Sequence, residues 1–240
     1  MKLKKAGFEK LAHEIHLADR GAGFWSWKPF IIYESLRRMV PGSVLLYCDV
    51  GRSFPYKVLD HDLAPLISWM RDHGQWVMPG LQIPWHGPMR CWTKRDAFVA
   101  LNMDTKEIHE STPIQASFSF WVADPRATQF AKEWMQLCFR RCLVSDDPGI
   151  CGLPELPGFI EHRHDQSLLT LLCLSRGIAA LKIGSILPES DEKNPSTLSK
   201  TMGGLPRVIP RSFELSIRFS EFLEQRARSA LLNFGVAWQK

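Results

Sequence analysis

The chain has no uninterrupted apolar run of the ~18 residues that a membrane-crossing helix needs, and no leader-like N-terminus. Its six cysteines are scattered without a C-x-x-C pair. That argues against a disulfide framework and for reduced thiols in a cytoplasmic setting. Cys138 and Cys142 lie one helical turn apart, a spacing that more often marks a core face than a metal site. Basic residues never run beyond a pair or so, and no RNA- or DNA-binding motif is present. The net charge of +5 therefore calls for no nucleic acid, although it suits a phosphate-bearing ligand or an anionic membrane surface. Internal repeats and low-complexity tracts are also lacking.

What is present is ordinary in bulk. With 240 residues, 45% hydrophobic and 23% charged, one domain with a full core is expected. The unusual count is nine tryptophans. Trp25, Trp27, Trp69, Trp76, Trp85 and Trp92 cluster early, which suits a cleft with flat apolar walls of the kind sugar rings pack against; the alternative, core and surface packing, must hold for most of them.

Residues 21–51 carry the densest signal. Pro29 suits a helix start; Phe30, Tyr33, Leu36 and Val40 recur at helical spacing, and Pro41-Gly42 ends the run. Val44-Leu45-Leu46-Tyr47 fits a strand covered on both faces, as in a parallel sheet. Asp49 then falls at the carboxyl end of that strand, where open α/β sheets place ligands, or serves simply as a turn residue.

Further on, Asp60-His61-Asp62 invites a metal reading but better fits the cap of a helix carrying Leu63, Leu66, Ile67 and Met70. Residues 74–91 hold enough proline and glycine to predict a strand-bearing loop, often one wall of a site. Residues 115–122 alternate, with Phe118, Phe120 and Val122 on one side and Ser117, Ser119 and Trp121 on the other. Asp124-Pro125 opens a helix whose stripe of Ala127, Phe130, Ala131, Trp134, Leu137 and Cys138 reads as core. After a loop at 144–160, His162-Arg163-His164-Asp165-Gln166-Ser167 precedes an apolar helix that Gly177 stops. A helix N-terminus favours anions there; alternatively Asp165 is its N-cap. Residues 188–211 read as a polar loop and 212–240 as an amphipathic helix with Arg218, Arg226 and Arg228, packed on the domain or lying on anionic lipid.

Four stretches, in this order, resemble a family of nucleotide-sugar glycosyltransferases of the GT-A fold found in capsule and surface-polysaccharide loci. They are Gly21-x-Gly23-x-Trp25-x-Trp27-Lys28-Pro29, Leu46-Tyr47-Cys48-Asp49-Val50-Gly51, Trp92-Thr93-Lys94-Arg95-Asp96 and His162-Arg163-His164-Asp165-Gln166-Ser167. The resemblance implies an α/β domain over residues 1–187, with a Rossmann-type sheet flanked by helices. The sequence departs from it in having no apolar, β-branched run before Phe30, where the family's usual first strand would lie. The implied activity is sugar transfer from a nucleoside-diphosphate donor to a glycan or other hydroxyl acceptor. A carbohydrate-binding relative without catalysis is the alternative.

The resemblance also distributes roles. Trp27, Lys28, Asp49, Gly51, Lys94, Gln115 and Gln166 would face the donor, with Lys94 on its diphosphate. His162 and Arg163 would face the acceptor, and Asp165 with His164 would carry the chemistry. Many such enzymes hold Mn²⁺ or Mg²⁺ with Asp-x-Asp, whereas this chain has Asp49-Val50-Gly51. Asp49 would then hold a divalent cation with help from Asp165 or a histidine, or bond ribose or sugar hydroxyls while Lys28 or Lys94 balances charge. Implied partners are the nucleotide sugar and a glycan acceptor, with no nucleic acid and with peripheral contact at the inner membrane face as a further expectation.

Overall fold

The computed structural model describes residues 7–49 and 64–180. Gly51, the Asp60-His61-Asp62 triplet, the 188–211 loop and the C-terminal helix lie outside the described residues.

The described part is mixed α/β. A three-stranded antiparallel sheet is built from β1 (Val44–Cys48), β2 (Val77–Met78) and β3 (Phe118–Val122), in the order β1-β3-β2. Helices follow as α1 (Phe8–Leu11), α2 (Trp27–Leu36), α3 (Ala64–Asp72), α4 (Arg95–Ala100), α5 (Lys106–His109), α6 (Pro125–Cys138), α7 (Arg141–Val144) and α8 (His164–Ser175). The central strand is β3, and it is buried on both faces: Phe118, Phe120 and Trp121 are all sealed from solvent. Trp121 lies nearly parallel to Trp134 of α6, with ring centroids 6.2 Å apart, and its indole N–H donates to Ser119 Oγ at 2.7 Å.

The parallel sheet expected around β1 is not what forms. β1 runs antiparallel to β3, Val44 facing Val122 and Cys48 facing Phe118, and all five of its residues are only half-buried. A short apolar run specifies a strand without specifying its neighbour's direction, and that ambiguity was resolved by β3. The Asp49 N–H continues the ladder by donating to the Ser117 carbonyl at 2.7 Å, so the expected strand-end position of Asp49 holds.

Helix α2 begins at Trp27, two residues before Pro29, because a third helical residue still needs no N–H partner. It ends at Leu36, short of Val40, which is 73% exposed. Val40 precedes Pro41, whose ring pushes it out of helical conformation. α2 packs along α6, whose start is fixed by Asp124 accepting the Arg126 N–H at 2.7 Å and by Pro125 in the first turn. Cys138 belongs to the core, as its spacing predicted. Ahead of α2, Phe8 packs edge-on to Phe30 and Phe139 at 5.4 and 5.5 Å, so the N-terminal segment joins the same core. Among the described residues no strand precedes β1.

α8 is buried at His164 and Asp165 and from Ser167 to Cys173. Gly177, at φ 61°, closes it with a Schellman pair: Gly177 N–H to Leu174 O and Ile178 N–H to Cys173 O at 2.9 Å. Loop 74–91 contains β2 and the bridge between Gln82 and Ile114, and its Gly80 lies against the backbone of Gln115 and Phe118.

Gly80 and Gly74 both have positive φ, but a Cβ on Gly80 would meet the Gln115 and Phe118 carbonyl oxygens, while one on Gly74 meets nothing within 4 Å among the described residues. Gly74→Ala should therefore cost about 1 kcal/mol and Gly80→Ala clearly more, about 2–4 kcal/mol, in denaturant unfolding. Equal costs would show that the close approach at Gly80 is not what the sheet depends on.

Candidate functional site

Sequence elements far apart in the chain converge on one cleft of about 220 Å³. The first turn of α2 supplies Lys28, the end of β1 supplies Asp49, and the segment leading into β3 supplies Gln115 and Ser117. The start of α8 supplies His164, Asp165 and Gln166, with Glu161 and Arg163 just ahead of it. Arg20 and Trp25 close one side, and Ile83 and His86 from the proline- and glycine-rich loop close another.

At its centre the Lys28 ammonium lies 3.4 Å from the Asp49 carboxylate and 3.3 Å from Asp165 Oδ2. Lys28 and Asp165 are almost fully buried, whereas the Asp49 side chain is 35% exposed. Burial alone would lower the Lys28 pKa, but the Asp165 and Asp49 charges outweigh it and hold the ammonium above the usual lysine value. Burial pushes Asp165 up to about 6 even though the Lys28 charge pulls the other way. Asp165 is therefore easier to protonate than an ordinary aspartate, and Lys28 stays charged. Behind Asp49, the Tyr47 hydroxyl donates to Oδ1 at 2.6 Å. Burial, then the Asp49 charge, raises the Tyr47 pKa far enough to keep it a neutral donor.

Asp165 is not the helix cap. Arg163 occupies the N-cap position and no side chain caps α8; Asp165 sits within the first turn, where the dipole favours a carboxylate. Its backbone carbonyl accepts the Trp134 indole N–H at 2.9 Å, which fastens this turn to α6. The Trp92 carbonyl holds the same turn from the other side, accepting the Ser167 hydroxyl at 2.6 Å and the Arg163 N–H at 2.9 Å.

Two opposite histidine tautomers follow from the hydrogen bonds. His162 Nδ1 accepts the Lys94 N–H at 3.2 Å, so its proton is on Nε2, which donates to the Leu143 carbonyl at 2.8 Å. His164 Nδ1 lies 2.8 Å from the Val144 carbonyl and must donate to it, leaving Nε2 as a lone pair 3.7 Å from Asp146 Oδ1. His164 has φ 48° despite its side chain, a strained conformation of the kind found at functional sites. Burial is the chief cause that lowers both histidine pKa values.

The Gly-x-Gly-x-Trp stretch forms a left-handed turn. Gly21, Ala22, Gly23, Phe24 and Trp25 all have positive φ, with Gly23 N–H to Asp19 O and Trp25 N–H to Gly21 O bonds of helical spacing. Each non-glycine residue in such a turn costs roughly 1–2 kcal/mol. The two glycines are needed for space: a Cβ on Gly21 would strike the Trp25 indole, and one on Gly23 would lie 2.7 Å from Ile15 Cγ2. Trp27 braces the turn through its indole N–H to Gly21 O at 3.0 Å.

Of the residues expected at the site, the structure brings Lys28, Asp49, Gln115, Arg163, His164, Asp165 and Gln166 to the cleft. It does not bring Trp27, Lys94 or His162 there. Lys94 is buried, donating from Nζ to the Asp147 carbonyl at 2.9 Å beside Asp96, whose Oδ1 accepts the Ile150 and Cys151 N–H groups. A diphosphate contact is thus not its observed employment: with His162, it pins the loop after α7. Cleft residues to which the sequence gave no named role are Arg20, Trp25, Ile83, His86, Ser117 and Glu161, although Trp25 belonged to the tryptophan cluster that suits a cleft, and Ile83 and His86 to the loop expected to wall a site. Trp25 lay inside a recognised stretch and Ser117 on the polar side of the β3 alternation; Arg20 and Glu161 gave no signal.

The donor set does not fit a divalent cation between the two aspartates. The Lys28 ammonium already lies between them, and a second, doubly charged centre there would meet it in a buried place. Among the described residues no group of three or more His, Cys, Asp or Glu side chains is placed to hold a metal, and no helix is long and apolar enough to cross a membrane.

The tautomers are directly testable. Long-range ¹H–¹⁵N spectra at pH 7 should show His162 protonated on Nε2 and His164 on Nδ1, both neutral, with cation forming only below the usual imidazole range. Matching tautomers, or an imidazolium signal at pH 7, would contradict the hydrogen-bond assignment. No protein-family model, curated protein or solved structure matches the chain, so its function has to be read from this cleft.

Proposed function

We propose that the chain is a glycosyltransferase that takes a sugar from a nucleoside-diphosphate donor and transfers it to a hydroxyl of a glycan or similar acceptor. The observation that carries this reading is the meeting of Lys28, Asp49 and Asp165, one from each of three separate family-like stretches, at hydrogen-bonding range in a single cleft. The GT-A reading of the fold rests on the order of those stretches, since the described sheet is antiparallel.

The cleft's charge supports a polyhydroxyl ligand. Its lining pairs three cations, Arg20, Lys28 and Arg163, with three carboxylates, Asp49, Glu161 and Asp165. Such a lining is nearly neutral yet dense in donors and acceptors, and the Trp25 indole adds an apolar wall of the sort pyranose faces stack on. Asp49, more exposed than Asp165 and oriented by Tyr47, is placed to accept hydrogen bonds from donor hydroxyls.

In the reaction proposed, the acceptor oxygen attacks the anomeric carbon while the bond to the diphosphate oxygen breaks. The acceptor's proton passes to an Asp165 oxygen, and the nucleoside diphosphate leaves. A carboxylate with a pKa of about 6 is ionised near neutrality yet basic enough to take that proton. Lys28 stays protonated throughout and offsets charge that would otherwise build up beside Asp165 and Asp49.

Screening nucleotide sugars by thermal shift identifies the donor, because a ligand that binds only the folded chain raises its apparent stability. With that donor, Asp165→Asn should lower turnover by about 10²–10⁴-fold while shifting the unfolding free energy by at most about 2 kcal/mol. Because burial raises the Asp165 pKa, kcat/KM should fall as pH drops through about 6 and level off above it. Turnover retained in Asp165→Asn, with the acid limb intact, would remove Asp165 from the chemistry. If no nucleotide sugar binds at all, the transferase reading fails.

A further inference from the structure

Lys28 is an improbable residue for its position. It lies in the first turn of α2, where the helix dipole disfavours a cation, and its side chain is only 6% exposed. A lysine in such a place normally loses its proton, yet here the two carboxylates hold it charged. Its backbone is set by the strained left-handed turn immediately before it, which the Gly21 and Gly23 approaches and the Trp27 indole lock in place. The fold thus places an ammonium, at local cost, between Asp49 at the end of β1 and Asp165 in the first turn of α8. Asp165 Oδ2, buried in the first turn of α8, has this ammonium as its close counter-charge at 3.3 Å.

We propose that the Lys28 ammonium is the resident cation of the cleft, standing between Asp49 and Asp165 where a divalent ion would otherwise sit, so that the site receives a phosphorylated ligand without a metal. A divalent ion would need carboxylate oxygens drawn to about 2.0–2.2 Å from its centre, and it could reach them only by displacing Lys28. The lysine is a fixed single charge that comes with the chain and needs no free-ion supply. It is a positioning and charge-balancing residue, gives up no proton, and leaves proton transfer to other groups. The inference deepens the transferase reading and rests on it only for the identity of the ligand. The cation claim itself is read without any nucleotide sugar, so its failure and the failure of that reading are distinguishable.

The test is Mn²⁺ binding to the full chain, followed by loss of the free-ion EPR signal. The wild-type chain should show no Mn²⁺ binding that depends on Asp165. Lys28→Met keeps the length of the side chain and removes its charge. It should create a Mn²⁺ site at least about tenfold tighter than anything Asp165-dependent in the wild type. Adding Asp165→Asn to Lys28→Met should abolish that site, while Lys28→Arg should behave as the wild type. Mn²⁺ binding by the wild type that Asp165→Asn removes would overturn the proposal, and so would a folded Lys28→Met chain that gains no such site. If Lys28→Met does not fold without metal, the wild-type melting temperature decides: no Asp165-dependent difference between Mn²⁺ and EDTA upholds the proposal, and such a difference defeats it. A nucleoside diphosphate titrated in EDTA then reports separately on the transferase reading.

Discussion

One buried ammonium ties the described structure together. Lys28 reaches from α2 to the end of β1 on one side and to the start of α8 on the other, joining three pieces of chain that are otherwise separate in sequence. Two carboxylates brought this close in a low-dielectric place would repel each other strongly, and a lone ammonium there would lose its charge. Together the three groups satisfy one another, leaving one net negative charge beside a cleft lined with further ion pairs. Around that triad the rest of the chain serves as support. The antiparallel ladder fixes Asp49, the Trp134 and Trp92 contacts fix the first turn of α8, and a left-handed turn aims Lys28.

The supporting parts show that a recognisable stretch need not be a binding stretch. Trp92-Thr93-Lys94-Arg95-Asp96 never reaches the cleft. It runs beside His162-Arg163-His164-Asp165, exchanging hydrogen bonds with it through Trp92 O and Lys94 N–H, while Asp96 and Lys94 hold the 147–151 loop. The Gly21 and Gly23 pair lies in the first of the four stretches, yet both glycines are explained by the room they give Trp25 and Ile15. In each case side-chain identity is dictated by packing that in turn positions the residues lining the cleft.

Legibility from sequence divided along the same line. The α6 stripe, the Gly177 stop of α8 and the strand-end place of Asp49 follow from local periodicity and turn chemistry, and they stand in the structure. Strand direction was not legible, because Val44-Leu45-Leu46-Tyr47 is equally apolar beside a parallel or an antiparallel neighbour. The convergence of Lys28, Asp49 and Asp165 was expected only through resemblance; no spacing within the chain encodes the approach of Lys28 to Asp165, two residues so far apart in sequence. His162 and His164 illustrate the limit most sharply. Two residues apart and chemically identical, they differ in tautomer and in access to the cleft because different carbonyls, Leu143 and Val144, meet different ring nitrogens.

The most direct test of the triad is a double-mutant cycle on folding stability at pH 8, using Lys28→Met, Asp165→Asn and the two together. Removing Lys28 alone leaves a buried carboxylate uncompensated and should cost about 3–5 kcal/mol. If Lys28 is what makes the buried Asp165 charge tolerable, adding Asp165→Asn should return part of that loss, giving a coupling energy of at least about 1 kcal/mol. Costs that simply add, within about 0.5 kcal/mol, would mean that the ammonium and the Asp165 carboxylate do not depend on each other, and the account built on them would fall.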